Sequence, residues 1–155
     1  MVRDILIYPD PKLKQISTEV EEFNSYLHDL LDDMYETMIK KNGVGLAAIQ
    51  IDEAKRVLII NRPLDIKSDD PKVIQPKENT LEIINPKIIE ARGETKYEEG
   101  CLSVPGYYEE VDRFKYIKIE YYDRFGNKKT LEEIKDETII AFLLLIVAIF
   151  INYKK

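Results

Sequence analysis

The chain has 155 residues, of which 45% are hydrophobic and 34% are charged, and its formal net charge is −6. This length suffices for one domain with its own hydrophobic core, so residues 1–155 are expected to form a single domain. The acidic balance argues against a nucleic-acid-binding surface. The first residues lack the apolar run of a secretory signal. Together with the single cysteine, this predicts a cytoplasmic protein.

The predicted elements are one clear helix followed by several strands. Residues 1–23 should be extended, because Pro9 and Pro11 interrupt helices. Residues 24–42 carry apolar side chains at helical spacing and end in Asn-Gly, which predicts a helix. A polar stretch at 62–80 is typical of a long surface loop. Strands are predicted at 56–61, 80–89, 94–104 (ending at Pro105-Gly106), 114–122 and 128–134.

The order of these elements indicates the fold class. A helix that precedes a series of strands, with a turn at 123–127 between the last two, is typical of an α+β fold. We therefore expect antiparallel β-sheets packed around the N-terminal helix. The sequence contains no internal repeat that would suggest another architecture.

Two short stretches are candidates for chemistry. Residues 43–50 read GVGLAAIQ, in which the glycines permit close approach of a peptide backbone and Gln50 can donate to a carbonyl oxygen. Residues 99–103 read EGCLS and hold the only cysteine, Cys101. A lone cysteine cannot form an intramolecular disulfide, so packing, nucleophilic catalysis and metal binding remain open as its roles.

These two stretches resemble the GxGLAAxQ and EGCLS motifs of peptide deformylases. The segment IYPDPKL at 7–13 is similar to the same family, and the resemblance runs from about residue 3 to about residue 134. The family consists of metal-dependent amide hydrolases that remove the formyl group from N-formyl-methionine of newly made polypeptides. The resemblance therefore implies N-formyl-methionyl peptides as partners, met at the ribosome exit.

The resemblance also implies roles for individual residues. Cys101 would be a ligand of Fe²⁺ or another divalent metal. Gln50 and the backbone N–H of Leu102 would stabilise the oxyanion of the tetrahedral intermediate. The expected peptide-binding residues are Gly43, Val44 and Gly45.

The third motif of the family is missing from this sequence. In the family a helical HExxH motif supplies two metal-binding histidines and a catalytic glutamate. Residues 135–155 contain no histidine, and the only histidine, His28, lies in the first predicted helix, where we expect no ligand role. An open catalytic metal centre needs three protein ligands. We therefore expect no bound metal and little or no deformylase activity.

The apolar run at 139–151 within the divergent tail, 139–155, leaves several interpretations open. A 13-residue helix is about 20 Å long, which is short of the roughly 20 residues that span a bilayer. A membrane anchor is therefore disfavoured. The run suits a buried helix or strand in place of the family's central helix. The alternatives are a frameshifted, truncated gene product, or a non-catalytic peptide-binding protein with the deformylase fold.

Overall fold

The computed structural model describes residues 1–101 and 103–133. The tail at 139–155 and Leu102 lie outside these residues, so the interpretations of the tail and the predicted role of Leu102 stay predictions. Among the helices within the described ranges, none combines the length and the apolar character needed to traverse a bilayer.

The N-terminal segment is largely extended but contains one helical turn. A 3-10 helix spans Pro11–Lys14, and the side chain of Asp10 caps it by accepting from the backbone N–H of Lys12 at 2.9 Å. The prediction that Pro11 only interrupts helices is wrong, because the fixed φ of proline suits the first position of a helix. Of the isoleucines in this segment, Ile5 packs against the core while Ile7 is exposed.

The predicted helix is confirmed as α1, Ser25–Lys40. Asn24 caps it, since its side-chain oxygen accepts from the backbone N–H of Leu27 at 3.2 Å. One face is buried as its spacing predicts, whereas Tyr26 departs from that face and is 55% exposed. The buried apolar residues of α1 are Leu27, Leu30, Leu31, Met34, Tyr35, Met38 and Ile39.

The described strands form two antiparallel sheets. In chain order they are β1 (Gly45–Ala47), β2 (Val57–Ile60), β3 (Leu81–Arg92), β4 (Thr95–Cys101), β5 (Val104–Arg113), β6 (Tyr116–Tyr122) and β7 (Lys128–Glu133). Five of them pair in the order β1-β2-β3-β6-β7, and β4 pairs with β5. The α+β class with antiparallel sheets and a packed N-terminal helix is confirmed.

The central strands are buried on both faces. Val57 and Ile59 of β2 pack in the cluster that contains the apolar face of α1, and Leu58 and Ile60 pack in a second cluster with Ile83 and β6 residues. Successive side chains of a strand point to opposite faces. The unbroken apolar run of β2 is therefore explained by burial on both sides of the sheet.

The segment at 62–80 is not the plain surface loop that its polarity predicts. It contains a short helix, α2 (Pro71–Ile74), and a 3-10 turn, Lys77–Asn79. Asp70 caps α2 by accepting from the backbone N–H of Lys72 at 2.9 Å. Gln75, immediately after α2, is buried. The Asp-Pro pair at 70–71 is a helix-start signal that the loop interpretation overlooked.

The region from 94 to 113 also differs from the prediction. The predicted strand at 94–104 corresponds to β4, which ends at Cys101, and the chain turns through Ser103 into β5. The prediction that Pro105-Gly106 ends a strand is wrong, because both residues lie inside β5. The pairing of β3 with β6 is irregular at Asn85-Pro86, and Asn85 has φ +51°.

Candidate functional site

The first motif begins where α1 ends. The backbone N–H of Gly43 donates to the carbonyl of Met38 at 2.9 Å, which satisfies one of the last carbonyls of the helix. Residues 45–47 then form β1, which is at the edge of the described five-stranded sheet, and a 3-10 turn at Ala48–Ile51 follows. Gly43 and Gly45 are buried, and Val44 between them is half-buried. The motif is therefore packed backbone rather than an open loop.

The side chain of Gln50 is fixed at both ends of its amide. Its Oε1 accepts from the backbone N–H of Ala47 at 2.9 Å, and its Nε2 donates to the Oγ of Ser103 at 3.2 Å. Only 4% of Gln50 is exposed. Because the backbone N–H can only donate, it assigns the oxygen end of the amide, and the Nε2 end consequently faces the second motif.

The backbone of the N-terminal segment joins the same two motifs. The N–H of Leu6 donates to the carbonyl of Gln50 at 2.7 Å, and the N–H of Tyr8 donates to the carbonyl of Ser103 at 2.8 Å. Residues 6–8 thus connect the backbones of Gln50 and Ser103. The side chains of Gln50 and Ser103 bond directly to each other. This role of Leu6 and Tyr8 could not be predicted from the sequence, because backbone hydrogen bonds leave no signature in side-chain chemistry.

Cys101 is the last residue of β4 and pairs with Val104 of β5, after a shift in register at Gly100. Ser103, two residues later, is buried and bonded to Gln50. The structure therefore brings the first motif into direct contact with the segment that carries Cys101. Leu102, predicted to supply an oxyanion donor, lies outside the described residues.

The side chain of His28 contacts the turn between β6 and β7. Its Nε2 lies 2.8 Å from the carbonyl oxygen of Arg124, so the ring N–H donates there, and its ring meets that of Phe125 edge-on at 5.4 Å. This imidazole is part of the contact between α1 and the turn from β6 to β7. In the part of the chain that the structure describes, no three His, Cys, Asp or Glu side chains form a metal-binding group.

The donor set of this sequence does not fit the metal centre of the family. A catalytic site needs three protein ligands with one open position. The sequence offers one thiol, and its only imidazole is bonded to a backbone carbonyl at another element. We therefore assign no chemical step to a metal in this chain.

The charges around His28 form an ion-pair network that stabilises the fold. Arg124 donates from Nε to Glu82 at 2.8 Å and from its terminal nitrogen to Asp32 at 3.0 Å. The hydrogen bond to Glu82 raises the pKa of Arg124, although burial acts in the opposite direction. Burial tends to raise the pKa of Asp32, but hydrogen bonds from Lys77 and Arg124 outweigh it and hold that pKa below its ordinary value.

Comparison with known proteins identifies the relatives of this chain. The family model described as polypeptide deformylase matches residues 2–142. The chain is 54% identical over 129 residues to the peptide deformylase of Helicobacter pylori strain P12, which covers 83% of this chain and 71% of that protein.

Solved structures agree with the sequence comparison. A peptide deformylase from Legionella pneumophila superimposes with a TM-score of 0.84 at 33% identity, covering 97% of this chain and 81% of that one. A peptide deformylase from Ehrlichia chaffeensis, solved in complex with actinonin, gives a TM-score of 0.82 at 34% identity, covering 96% of this chain and 83% of that one.

Proposed function

This chain belongs to the polypeptide deformylase family, and we propose that it binds N-formyl-methionyl peptides but, as these 155 residues stand, hydrolyses them poorly or not at all. The single observation that supports peptide binding is the hydrogen bond from Gln50 to Ser103, because it joins the two motifs. The proposed loss of hydrolysis rests on the absence of a histidine pair from these 155 residues.

The proposed peptide site lies along the edge of β1. Gly43, Val44 and Gly45 would pair with the backbone of the peptide, as the resemblance implies. Gln50 and the backbone N–H of Leu102 would face the formyl oxygen. The family membership supports this assignment, and the burial and fixed amide of Gln50 are compatible with a preorganised donor.

The proposed loss of hydrolysis follows from the residues that the family reaction uses. Removing a general base costs about 10²–10⁴-fold in rate. The metal of the family, Fe²⁺ or another divalent ion, would keep only Cys101 as a ligand. A single thiolate cannot complete an open three-ligand site. The formyl group would therefore be held beside donors but not attacked.

The test uses the purified 155-residue chain and the tripeptide formyl-Met-Ala-Ala. After exposure to Fe²⁺, Ni²⁺ or Zn²⁺, we expect well below one equivalent of retained metal and no formate release above the blank. Calorimetry should detect binding of the formylated peptide and weaker binding of Met-Ala-Ala. One equivalent of metal with steady formate release would contradict the proposed loss of hydrolysis. Equal or absent binding of both peptides would contradict the proposed binding.

A second candidate function is that of an active peptide deformylase. The observation that favours it is the 54% identity to the Helicobacter pylori enzyme over 129 residues. Formate release in the same assay distinguishes the two candidates. In either case we propose that the protein acts in the cytoplasm on newly made chains.

A further inference from the structure

The buried amide of Gln75 bridges the two backbone segments that flank the proposed peptide-binding edge. Its Nε2 donates to the carbonyl of Gly43 at 3.0 Å and to the carbonyl of Asn61 at 2.6 Å. Gly43 lies two residues before β1, and Asn61 directly follows β2. Both hydrogens of one amide thus bond to carbonyls that flank two paired strands.

The backbone of Gln75 is held in place from α1. The hydroxyl of Tyr35 donates to the backbone carbonyl of Gln75 at 2.7 Å, and 6% of Gln75 is exposed. The segment folds back on itself as well, since the N–H of Leu64 donates to the carbonyl of Ile74 at 2.8 Å. The segment that carries Gln75 is therefore fixed by hydrogen bonds.

Gln75 bonds to the chain just beyond the end of the ladder between β1 and β2. The N–H of Asn61 donates to the carbonyl of Val44 at 2.9 Å, as a continuing antiparallel pair requires. Within residues 1–101 and 103–133, the reciprocal bond from the N–H of Val44 to Asn61 is not made. The carbonyl of Asn61 accepts from Gln75 instead.

The orientation of the Val44 N–H follows from the planarity of the peptide bond. In a trans peptide, the carbonyl of Gly43 and the N–H of Val44 point in opposite directions. Because the Gly43 carbonyl is held toward Gln75, the Val44 N–H is directed away from it. Val44 is also the half-buried residue between two buried glycines.

We infer that Gln75 is a positioning residue for peptide binding: it holds the Gly43 carbonyl inward so that the Val44 N–H remains a donor for the backbone of a bound peptide. This inference rests on the proposed function of the Gly43–Gly45 edge. It assigns a binding role to the segment at 62–80.

The test compares Gln75→Met with Gln15→Met in the full chain. Gln15 is exposed, so its replacement is the matched control for the same chemical change. The probe is formyl-Met-Ala-Ala, titrated by calorimetry, with the Val44 amide followed by NMR in the free chain. We expect Gln75→Met to weaken binding about three- to tenfold, the range of one hydrogen bond, and to shift the Val44 amide resonance. Gln15→Met should change neither quantity.

The outcomes separate this inference from the function on which it rests. Wild-type affinity and an unshifted Val44 amide in a folded Gln75→Met chain would overturn the inference and leave the proposed function standing. Failure of the wild-type chain to bind the formylated peptide would overturn both. If Gln75→Met does not fold, Tyr35→Phe replaces it. That variant should shift the Val44 amide and weaken binding to a smaller extent, and no change in either would overturn the inference.

Discussion

The side-chain amide of Gln50 and the hydroxyl of Ser103 are hydrogen-bonded at 3.2 Å across 53 residues of sequence. Ala47 holds the oxygen end of the same amide, so the donor end faces the segment after Cys101. The backbones of Leu6 and Tyr8 tie the same two positions from the other side. The relative placement of the two motifs therefore depends on a small closed set of hydrogen bonds.

Replacing Ser103 with alanine tests how much its hydrogen bond with Gln50 contributes to stability. Ser103→Ala removes the acceptor of the Gln50 amide from a buried site, and a typical hydrogen bond contributes about 1 kcal/mol net. We expect the free energy of unfolding to fall by about that amount or somewhat more. Urea denaturation followed by circular dichroism measures the change, with an unchanged dependence on urea concentration indicating the same folded state.

Ser17 provides the matched control for this replacement. It is equally buried, but its Oγ has no hydrogen-bond partner among the described residues. Removing an unpartnered buried hydroxyl costs nothing in hydrogen bonding, so Ser17→Ala should be neutral or stabilising. Equal destabilisation by the two replacements would mean that the Gln50 bond contributes no more than packing does.

The sequence indicated the components of the candidate site but not their connections. The two motifs could be found because glycine, glutamine and cysteine stand at a specific spacing. The contact between Gln50 and Ser103 could be expected only through the resemblance, since no local pattern encodes a pairing over 53 residues. Gln75 was missed because a glutamine in a polar stretch looks exposed, and its burial depends on where the chain folds back.

Replacing one buried and one exposed leucine tests the assignment of the core. Leu31 is fully buried on the inner face of α1, whereas Leu64 is 42% exposed. Leu31→Ala should lower the free energy of unfolding by about 2–5 kcal/mol, because it removes buried area and leaves a cavity. Leu64→Ala should change it by less than about 1 kcal/mol. Thermal and urea denaturation of both variants check this, and similar losses would contradict the assigned core.

The fold was predictable where a pattern had a local cause. The apolar spacing of α1 and the alternation in β6 both follow from one buried face. The prediction failed at β5 because Pro105-Gly106 is typical of a turn, yet a proline is tolerated in a strand that has a free edge. In the described residues β5 pairs only with β4. The turn lies at Ser103 instead, where its backbone is held by Tyr8.

The ion pairs of Asp32 predict a dependence of stability on pH. Its carboxylate lies 2.9 Å from the Nζ of Lys77 and 3.0 Å from Arg124, and these bonds hold its pKa below the ordinary value against the opposing effect of burial. A carboxyl group with a lowered folded-state pKa stabilises the fold above its unfolded pKa, about 3.9. That contribution is lost as the pH falls through the folded-state value.

Asp32→Asn should therefore destabilise the chain at pH 7 and have little effect near pH 2. Since 39% of the side chain is exposed, solvent screening limits the expected loss at pH 7 to about 0.5 kcal/mol. Asp29→Asn, an exposed position of the same helix, serves as the control. Urea denaturation of the three chains between pH 2 and pH 7 measures the effect. A loss that is independent of pH would indicate disturbed packing rather than a broken ion pair.

Replacing Cys101 and measuring the free energy of unfolding tests the proposed absence of a metal centre. A bound metal stabilises the folded state by mass action, so removing its ligand or the metal lowers the free energy of unfolding. We expect Cys101→Ser to change that free energy by less than about 1 kcal/mol. We also expect EDTA to have no effect on either chain after exposure to Fe²⁺ or Zn²⁺. Stability that EDTA lowers in the wild-type chain but not in Cys101→Ser would reveal a metal held by Cys101 together with further ligands.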